Sequence, residues 1–65
     1  MKIFVVKSPD GSEHSAWFEL GPAVRSIAEE TETIRQFKKY TIIEVDADNG
    51  TVVDGVEQAE DEGYF

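Results

Sequence analysis

The hydrophobic pattern near the start of the chain is typical of a β-hairpin. Residues 2 to 8 are rich in β-branched and aromatic side chains, which favour extended strands. Ser8-Pro9-Asp10-Gly11 then supplies Pro where φ is about −65° and Gly where φ must be positive. If the loop has three residues and Gly11 is its bulge residue, Lys7 pairs with Glu13 across the two strands. In that register the following pairs are Val5 with Ser15, Phe4 with Ala16, and Ile3 with Trp17.

Side-chain alternation divides this hairpin into two faces. The face that we expect to join the core consists of Phe4, Val6, Ala16 and Phe18. The opposite face carries a second apolar cluster, formed by Ile3, Val5 and Trp17. Because the first strand is apolar on both faces, we expect it in the centre of a sheet. The second cluster then needs a cover or a partner.

The segment after Gly21-Pro22 has the periodicity of a helix, and Pro suits the first helical position. The apolar positions that recur on one side of it are Val24, Ile27, Ala28, Thr31 and Ile34. Thr33 and Gln36 can form a capping box inside this segment. A single helix therefore competes with two short helices, near residues 22 to 30 and 33 to 39.

A second hairpin is predicted by the last strongly apolar segment. Tyr40 to Asp46 is rich in β-branched residues, and Asp48-Asn49-Gly50 is a strong turn signal before Thr51 to Asp54. The element order is therefore ββαββ, and a right-handed crossover places the third strand beside the first. We expect an α+β fold in which a four-stranded antiparallel sheet, in the order 2-1-3-4, carries the unbroken or broken helix on one face.

The predicted domain covers residues 1 to 54, and residues 55 to 65 are predicted to be an acidic C-terminal tail. This last segment has too few apolar side chains to pack as an element. Tyr64 and Phe65 are unusual in such a tail. They could fold back onto the cluster around Trp17 or form an aromatic hook for a partner.

Charge is distributed unevenly along the 65 residues, whose formal net charge is −8. Residues 1 to 39 contain six acids and six bases, whereas residues 40 to 65 contain eight acids and no Lys or Arg. Such a chain repels phosphate backbones and anionic lipid, so we expect neither nucleic acid nor a membrane as a direct ligand. A basic partner protein is favoured instead.

The absence of Cys and the pattern of the first residues indicate where in the cell the protein is located. Without Cys there is no disulfide and no thiolate ligand, which favours an intracellular setting. The first residues contain only a short apolar run before Lys7, too short for a signal peptide or a membrane span. We therefore expect a cytoplasmic protein.

Catalysis and metal binding are not expected. The chain has one His, His14, and no Ser, His and Asp arrangement in a plausible cleft, so no catalytic residue and no cofactor is assigned. Asp46-Ala47-Asp48-Asn49-Gly50 has some likeness to a calcium loop. An EF-hand loop, however, needs an oxygen ligand where this chain has Gly50 and a Gly where it has Thr51.

The acidic hairpin is the most informative group of residues. A three-residue loop at Asp48-Asn49-Gly50 pairs Glu44 with Asp54 and places Glu44, Asp46 and Asp54 together on the face opposite the core. Carboxylates along one strand face are about 6.6 to 6.8 Å apart, close to the spacing of phosphates along a nucleic-acid strand. A two-residue type I′ turn at Asn49-Gly50 is the alternative, and it sends Asp54 to the other face.

In size, lack of Cys and polarised acidity, the chain resembles small acidic inhibitors encoded by phages and mobile elements, of the anti-CRISPR and anti-restriction DNA-mimic type. Glu44-Val45-Asp46-Ala47-Asp48 and Glu60-Asp61-Glu62 carry this resemblance. It implies a non-catalytic inhibitor whose carboxylates mimic nucleic acid and block the basic groove of a host protein, for example a CRISPR surveillance complex. The acidic surface would then comprise Glu44, Asp46, Asp48, Asp54, Glu57, Glu60, Asp61 and Glu62.

An alternative hypothesis assigns binding to the apolar side chains. In this case the protein is an interaction module or homodimer, for instance an adaptor or inhibitor of a host enzyme, because aromatic anchors dominate many interfaces. Its binding residues would be Ile3, Val5, Trp17, Tyr64 and Phe65. A monomer is favoured over a dimer by the high net charge.

Overall fold

A computed structural model describes residues 1–46 and 49–65, with the backbone alone described for Asn49. The elements are β1 Lys2–Lys7, β2 Glu13–Trp17, α1 Leu20–Glu30, α2 Ile34–Phe37, β3 Thr41–Asp46, β4 Asn49–Val53 and α3 Gly55–Asp61. The strands form one open antiparallel sheet in the order β2-β1-β3-β4, which confirms the predicted α+β fold and strand order.

The first turn forms as the sequence predicts. Gly11 has a φ of 90°, and the amide of Ser8 donates to the carbonyl oxygen of Ser12 at 2.8 Å. The Asp10 carboxylate accepts from the hydroxyl of Ser12 at 2.7 Å and from its backbone N–H at 2.9 Å. These two hydrogen bonds hold the pKa of Asp10 below its usual value. Lys7 pairs with Glu13, as predicted.

Beyond this pair a β-bulge changes the predicted register. The pairing shifts between Val6 and Lys7, so that Val6 is opposite Ser15 and Phe4 is opposite Trp17. His14 is the extra residue of β2, and one extra residue exchanges the faces of all residues after it. The expected pairs of Val5 with Ser15, Phe4 with Ala16, and Ile3 with Trp17 are therefore wrong. Trp17 lies on the core side, whereas Ala16 and Phe18 are exposed.

The core lies between one face of the sheet and the helices. The buried apolar side chains are Val6, Ala23, Val24, Ile27, Ala28, Phe37, Ile42 and Ala59. Val6 and Ile42 face each other on the two central strands, and Phe4, Trp17 and Val53 pack around this cluster. The doubly apolar β1 is central, as its sequence predicted.

The helical segment is broken, so the two-helix alternative is confirmed. Thr33 is the N-cap of α2, and its Oγ1 accepts from the backbone N–H of Gln36 at 3.2 Å. In return, Oε1 of Gln36 accepts from the backbone N–H of Glu32 at 2.7 Å. One donor that the start of α2 leaves without a partner is thus satisfied, and the contact with Glu32 fixes the chain just before the cap, which separates α2 from α1.

A third helix occupies most of the segment predicted to be a tail. The expectation that residues 55 to 65 lack a packed element is wrong for Gly55–Asp61, which is α3. Asp54 is its N-cap and accepts from the backbone N–H of Glu57 at 3.0 Å. Ala59 is fully buried, and the ring of Phe65 packs edge-on against Phe37 with centroids 5.3 Å apart.

Removing the cap of α3 is expected to destabilise the protein moderately. Asp54→Ala leaves the backbone N–H of Glu57 without its acceptor, and loss of an N-cap costs about 1 kcal/mol. Urea denaturation followed by circular dichroism measures this change. Asp54→Asn is the matched control because its amide oxygen can still cap, so it is expected to stay within about 0.5 kcal/mol of wild type. Equal losses for the two variants would contradict the capping role.

The second hairpin has a register that neither predicted turn provides. Asp46 pairs with Asn49, Glu44 with Thr51 and Ile42 with Val53. The predicted pairing of Glu44 with Asp54 is therefore wrong. Residue 48, which was assigned to the turn and to the acidic surface, lies outside the described residues.

Candidate functional site

The face of the sheet that points away from the helices is apolar. Val6 and Ile42 are buried under the helices, so alternation sends their neighbours Val5 and Ile43, which pair with each other, to the opposite side. We call this side the open face. Its apolar side chains are Ile3, Val5, Ala16, Ile43, Val45 and Val52. None of these side chains packs against the core cluster; the four on the central strands are half-buried, and Ala16 and Val52 are exposed.

Two of the most exposed large apolar side chains lie at opposite edges of the open face. Val52, on the edge strand β4, is 69% exposed, and Phe18, which follows the other edge strand, is 72% exposed. Phe18 comes directly after the inward-facing Trp17, so alternation points it to the open side. The apolar surface therefore extends from one edge of the sheet to the other.

Among the described residues, the open face carries no net charge. Its charged residues within residues 1–46 and 49–65 are Lys7 and Glu13, one of each sign, which pair across β1 and β2. The other side of the protein is strongly anionic. The helices with their caps and connections, residues 19–39 and 54–62, form what we call the helix layer. This layer contains nine acids and four bases, a net charge of −5.

The composition of the open face differs from that of an ordinary solvated sheet face. An antiparallel sheet with one face in water usually alternates apolar residues toward the core with polar residues toward solvent. Here β1 and β3 place Ile3, Val5, Ile43 and Val45 where polar residues are expected. Such strands are typical of sheets that are covered on both faces.

The structure does not place the described strand acids on the predicted face. Glu44 and Asp46 lie on the helix side of the sheet, opposite Phe4 and Lys2 of β1. Nζ of Lys2 is 3.1 Å from Oε1 of Glu44, and this hydrogen-bonded contact raises the pKa of Lys2. Asp46 is 3.6 Å from the amino group of Met1. The expectation that these acids share the face opposite the core is therefore wrong.

The remaining acids of the predicted surface belong to α3 rather than to a strand. Asp54 is the N-cap of this helix, and its carboxylate is engaged by the backbone of Glu57. Glu57, Glu60 and Asp61 are exposed on α3, and Glu62 is its C-cap. These acids contribute to the charge of the helix layer.

The predicted apolar cluster is divided between the two faces. Ile3 and Val5 lie on the open face, whereas Trp17 lies on the core side with Phe4. Tyr64 and Phe65 are each 37% exposed, and Phe65 packs against Phe37 of α2, which is on the helix side. The sequence analysis missed most of the open face. Alternation outward from Val5, applied to the correct register, would have found Ile43 and Val52.

A hydrogen-bonded network around His14 was also missed. Nε2 of His14 lies 2.7 Å from Oε2 of Glu30, and Nδ1 lies 3.0 Å from Oγ of Ser15. The indole N–H of Trp17 donates to the same Oγ at 2.7 Å. Since a carboxylate only accepts, Nε2 is the donor to Glu30. The network joins β2 to α1.

A shallow groove of about 260 Å³ lies between β4, α2 and the start of α3. Apolar residues dominate its lining, and Lys38 and Asp54 are its charged residues. The Asp54 carboxylate already caps α3.

The described residues hold neither a cluster of possible metal ligands nor a helix that could span a membrane. Within residues 1–46 and 49–65, no group of three or more His, Asp or Glu side chains is placed to hold a metal ion. No helix in the same ranges is long and apolar enough to span a bilayer. Comparisons of the chain with family models, curated proteins and solved structures found no match.

Proposed function

We propose that this protein is a non-catalytic interaction module that binds a partner protein through the open face of its sheet. The observation that carries the proposal is an apolar sheet face, with exposed Phe18 and Val52 at its edges, whose half-buried central side chains do not pack against the core cluster. Contiguous exposed apolar patches of this kind mark interaction sites. Burial of the patch against a partner would supply the main favourable free energy.

The size of the face sets the strength of the interaction. Four strands about 4.8 Å apart and about five residues long give a footprint of about 19 by 17 Å, or roughly 320 Å². At about 25 cal/mol per Å² of apolar surface, burying this area contributes about 8 kcal/mol before the costs of association. We therefore expect a reversible complex rather than a permanent one.

The nucleic-acid mimic predicted from the sequence stays a prediction. The described acids of its strand row, Glu44 and Asp46, lie on the helix side of the sheet, and its remaining support is the anionic helix layer. The two hypotheses assign binding to opposite sides of the protein. Substitutions on each side therefore distinguish them.

Affinity capture from a cell lysate tests the proposal. A copy of the chain with a different tag is added to the lysate, so that capture of a second copy is detected as well as capture of another protein. Phe18→Lys places a charge at the edge of the open face, and we expect it to lower capture at least tenfold. The double variant Glu60→Lys, Asp61→Lys changes exposed positions of α3 and is expected to keep wild-type capture. Raising the salt from about 0.05 to 0.5 M should leave an apolar complex intact.

The opposite pattern would overturn the proposal. In that pattern the Phe18→Lys variant still captures the partner, the α3 double variant does not, and capture weakens steeply with salt. This result would favour the nucleic-acid mimic. Circular dichroism of each variant provides the folding control. Phe18, Glu60 and Asp61 are all exposed, so we expect native spectra.

A further inference from the structure

We propose that the occupant of the open face is a second copy of this chain, so that two sheets pack face to face between two outer layers of helices. The inference rests on the proposed function, because it names the partner of the same surface. It is carried by the charge distribution. The residues described on the open face carry no net charge, whereas the helix layer holds five net negative charges.

Like charge restricts how two copies can approach each other. Contact between two helix layers would bring acids of both copies within the Debye length of about 8 Å. Contact between a helix layer and an open face would bury apolar surface of one copy only. Contact between the two open faces avoids both problems, because its charged residues are a Lys7 and a Glu13 from each copy.

Face-to-face packing also keeps the anionic layers apart. Packed sheets are about 10 Å apart, and a helix packed on the outer side of each sheet adds roughly 8 to 10 Å. The two helix layers are then separated by about 25 Å or more, beyond the range of unscreened repulsion. A net charge of −8 per chain is therefore compatible with this dimer.

Edge positions make the face self-complementary. With a two-fold axis along the strand direction, β2 of one copy lies over β4 of the other, and β1 lies over β3. The exposed Phe18 of each copy then meets the side of the sheet that carries Val52 of its partner. Gly50, on the same edge strand, leaves room for a large ring there.

The footprint predicts a weak dimer. About 320 Å² per copy is well below the roughly 800 Å² per partner of a standard stable interface. We therefore expect a dissociation constant in the micromolar range, with both monomer and dimer present at accessible concentrations.

Sedimentation equilibrium of the full chain from about 1 µM to 1 mM tests the inference. We expect the average mass to rise from the monomer value of 7.3 kDa toward twice that value. Val52→Lys should weaken association at least tenfold, although it lowers the net negative charge. Thr51→Lys is the matched control, because it makes the same charge change at the adjacent, also exposed position on the other face.

Added salt gives a second readout. The apolar dimer should keep its affinity, or gain a little, as residual repulsion between the copies is screened. An association that needs low salt would contradict the model of two neutral faces in contact.

The results separate failure of the dimer from failure of the proposed function. A mass of 7.3 kDa at every concentration, or equal weakening by Val52→Lys and Thr51→Lys, would overturn the dimer. If the chain is monomeric and Phe18→Lys still abolishes capture of another protein, the dimer is wrong and the proposed function stands. If the chain is monomeric and capture ignores Phe18→Lys, both are wrong.

Discussion

Replacing Trp17 with alanine is expected to lower the free energy of unfolding by about 3 kcal/mol. The indole packs against the core beside Phe4, and its N–H donates to Oγ of Ser15 at 2.7 Å. Truncation removes both the packing and the N–H that donates to Ser15, whose Oγ also contacts Nδ1 of His14. A chain of 65 residues is stable by only about 3 to 10 kcal/mol, so the variant should be partly unfolded at 37 °C.

Urea denaturation followed by far-UV circular dichroism measures this loss, since the variant has no tryptophan left for fluorescence. Phe18→Ala is the matched control. It truncates the next residue, also aromatic but 72% exposed, and should cost less than about 0.5 kcal/mol at concentrations where the protein is monomeric. A larger loss for Phe18→Ala than for Trp17→Ala would place Trp17 on the open side and refute the observed register.

The comparison of these two neighbours also shows where sequence reasoning succeeded and where it failed. The pattern of β1, apolar on both faces, was sufficient to place this strand in the centre and to derive the order β2-β1-β3-β4. The faces of β2 were wrong because of one residue. Lys7 pairs with Glu13 with or without a bulge at His14, so the cross-strand charge pair does not reveal the shift.

The prediction of an acidic row opposite the core was wrong for two separate physical reasons. The turn signal at Asn49-Gly50 was strong, yet Asp46 pairs with Asn49, and this register differs from both predicted ones. The prediction also took into account only the charges on the two strands of that hairpin. The cation that balances Glu44 comes from the next strand, because β1 brings Lys2 to within 3.1 Å. Cations from a neighbouring strand cannot be assigned before the sheet register is known.

The acidic tail shows a different limitation. Gly55 and Ala59 are buried, but small residues add little to a hydropathy pattern even when they carry the packing. A signal was present, since Asp54 followed by Glu57 three residues later matches a capping box. Helix α3 therefore packs through the close approach of its backbone to the core at Gly55 and Ala59, rather than through bulky apolar side chains.

That close approach leads to the second large expected effect, at Gly55. A Cβ at this position would lie 2.6 Å from Cδ1 of Ile42 and 3.4 Å from Cε1 of Phe37. Both neighbours are buried in the core. We expect Gly55→Ala to destabilise the protein by about 1 to 3 kcal/mol, because core side chains must leave their preferred rotamers. Gly21→Ala is the control, since its new Cβ would meet its nearest neighbour, in Glu62, at an ordinary 3.5 Å.

Removing the clashing methyl group should rescue this loss. Ile42→Val deletes Cδ1 and alone costs about 0.5 to 1.5 kcal/mol, while in the double variant the new Cβ of residue 55 occupies the space that Cδ1 leaves. The free energy of unfolding that the double variant loses should therefore be about 1 kcal/mol smaller than the sum of the two single losses. Urea denaturation of the wild type, the two single variants and the double variant measures this difference. Strict additivity would mean that Gly55 is needed for the backbone of α3 and not for its contact with the sheet.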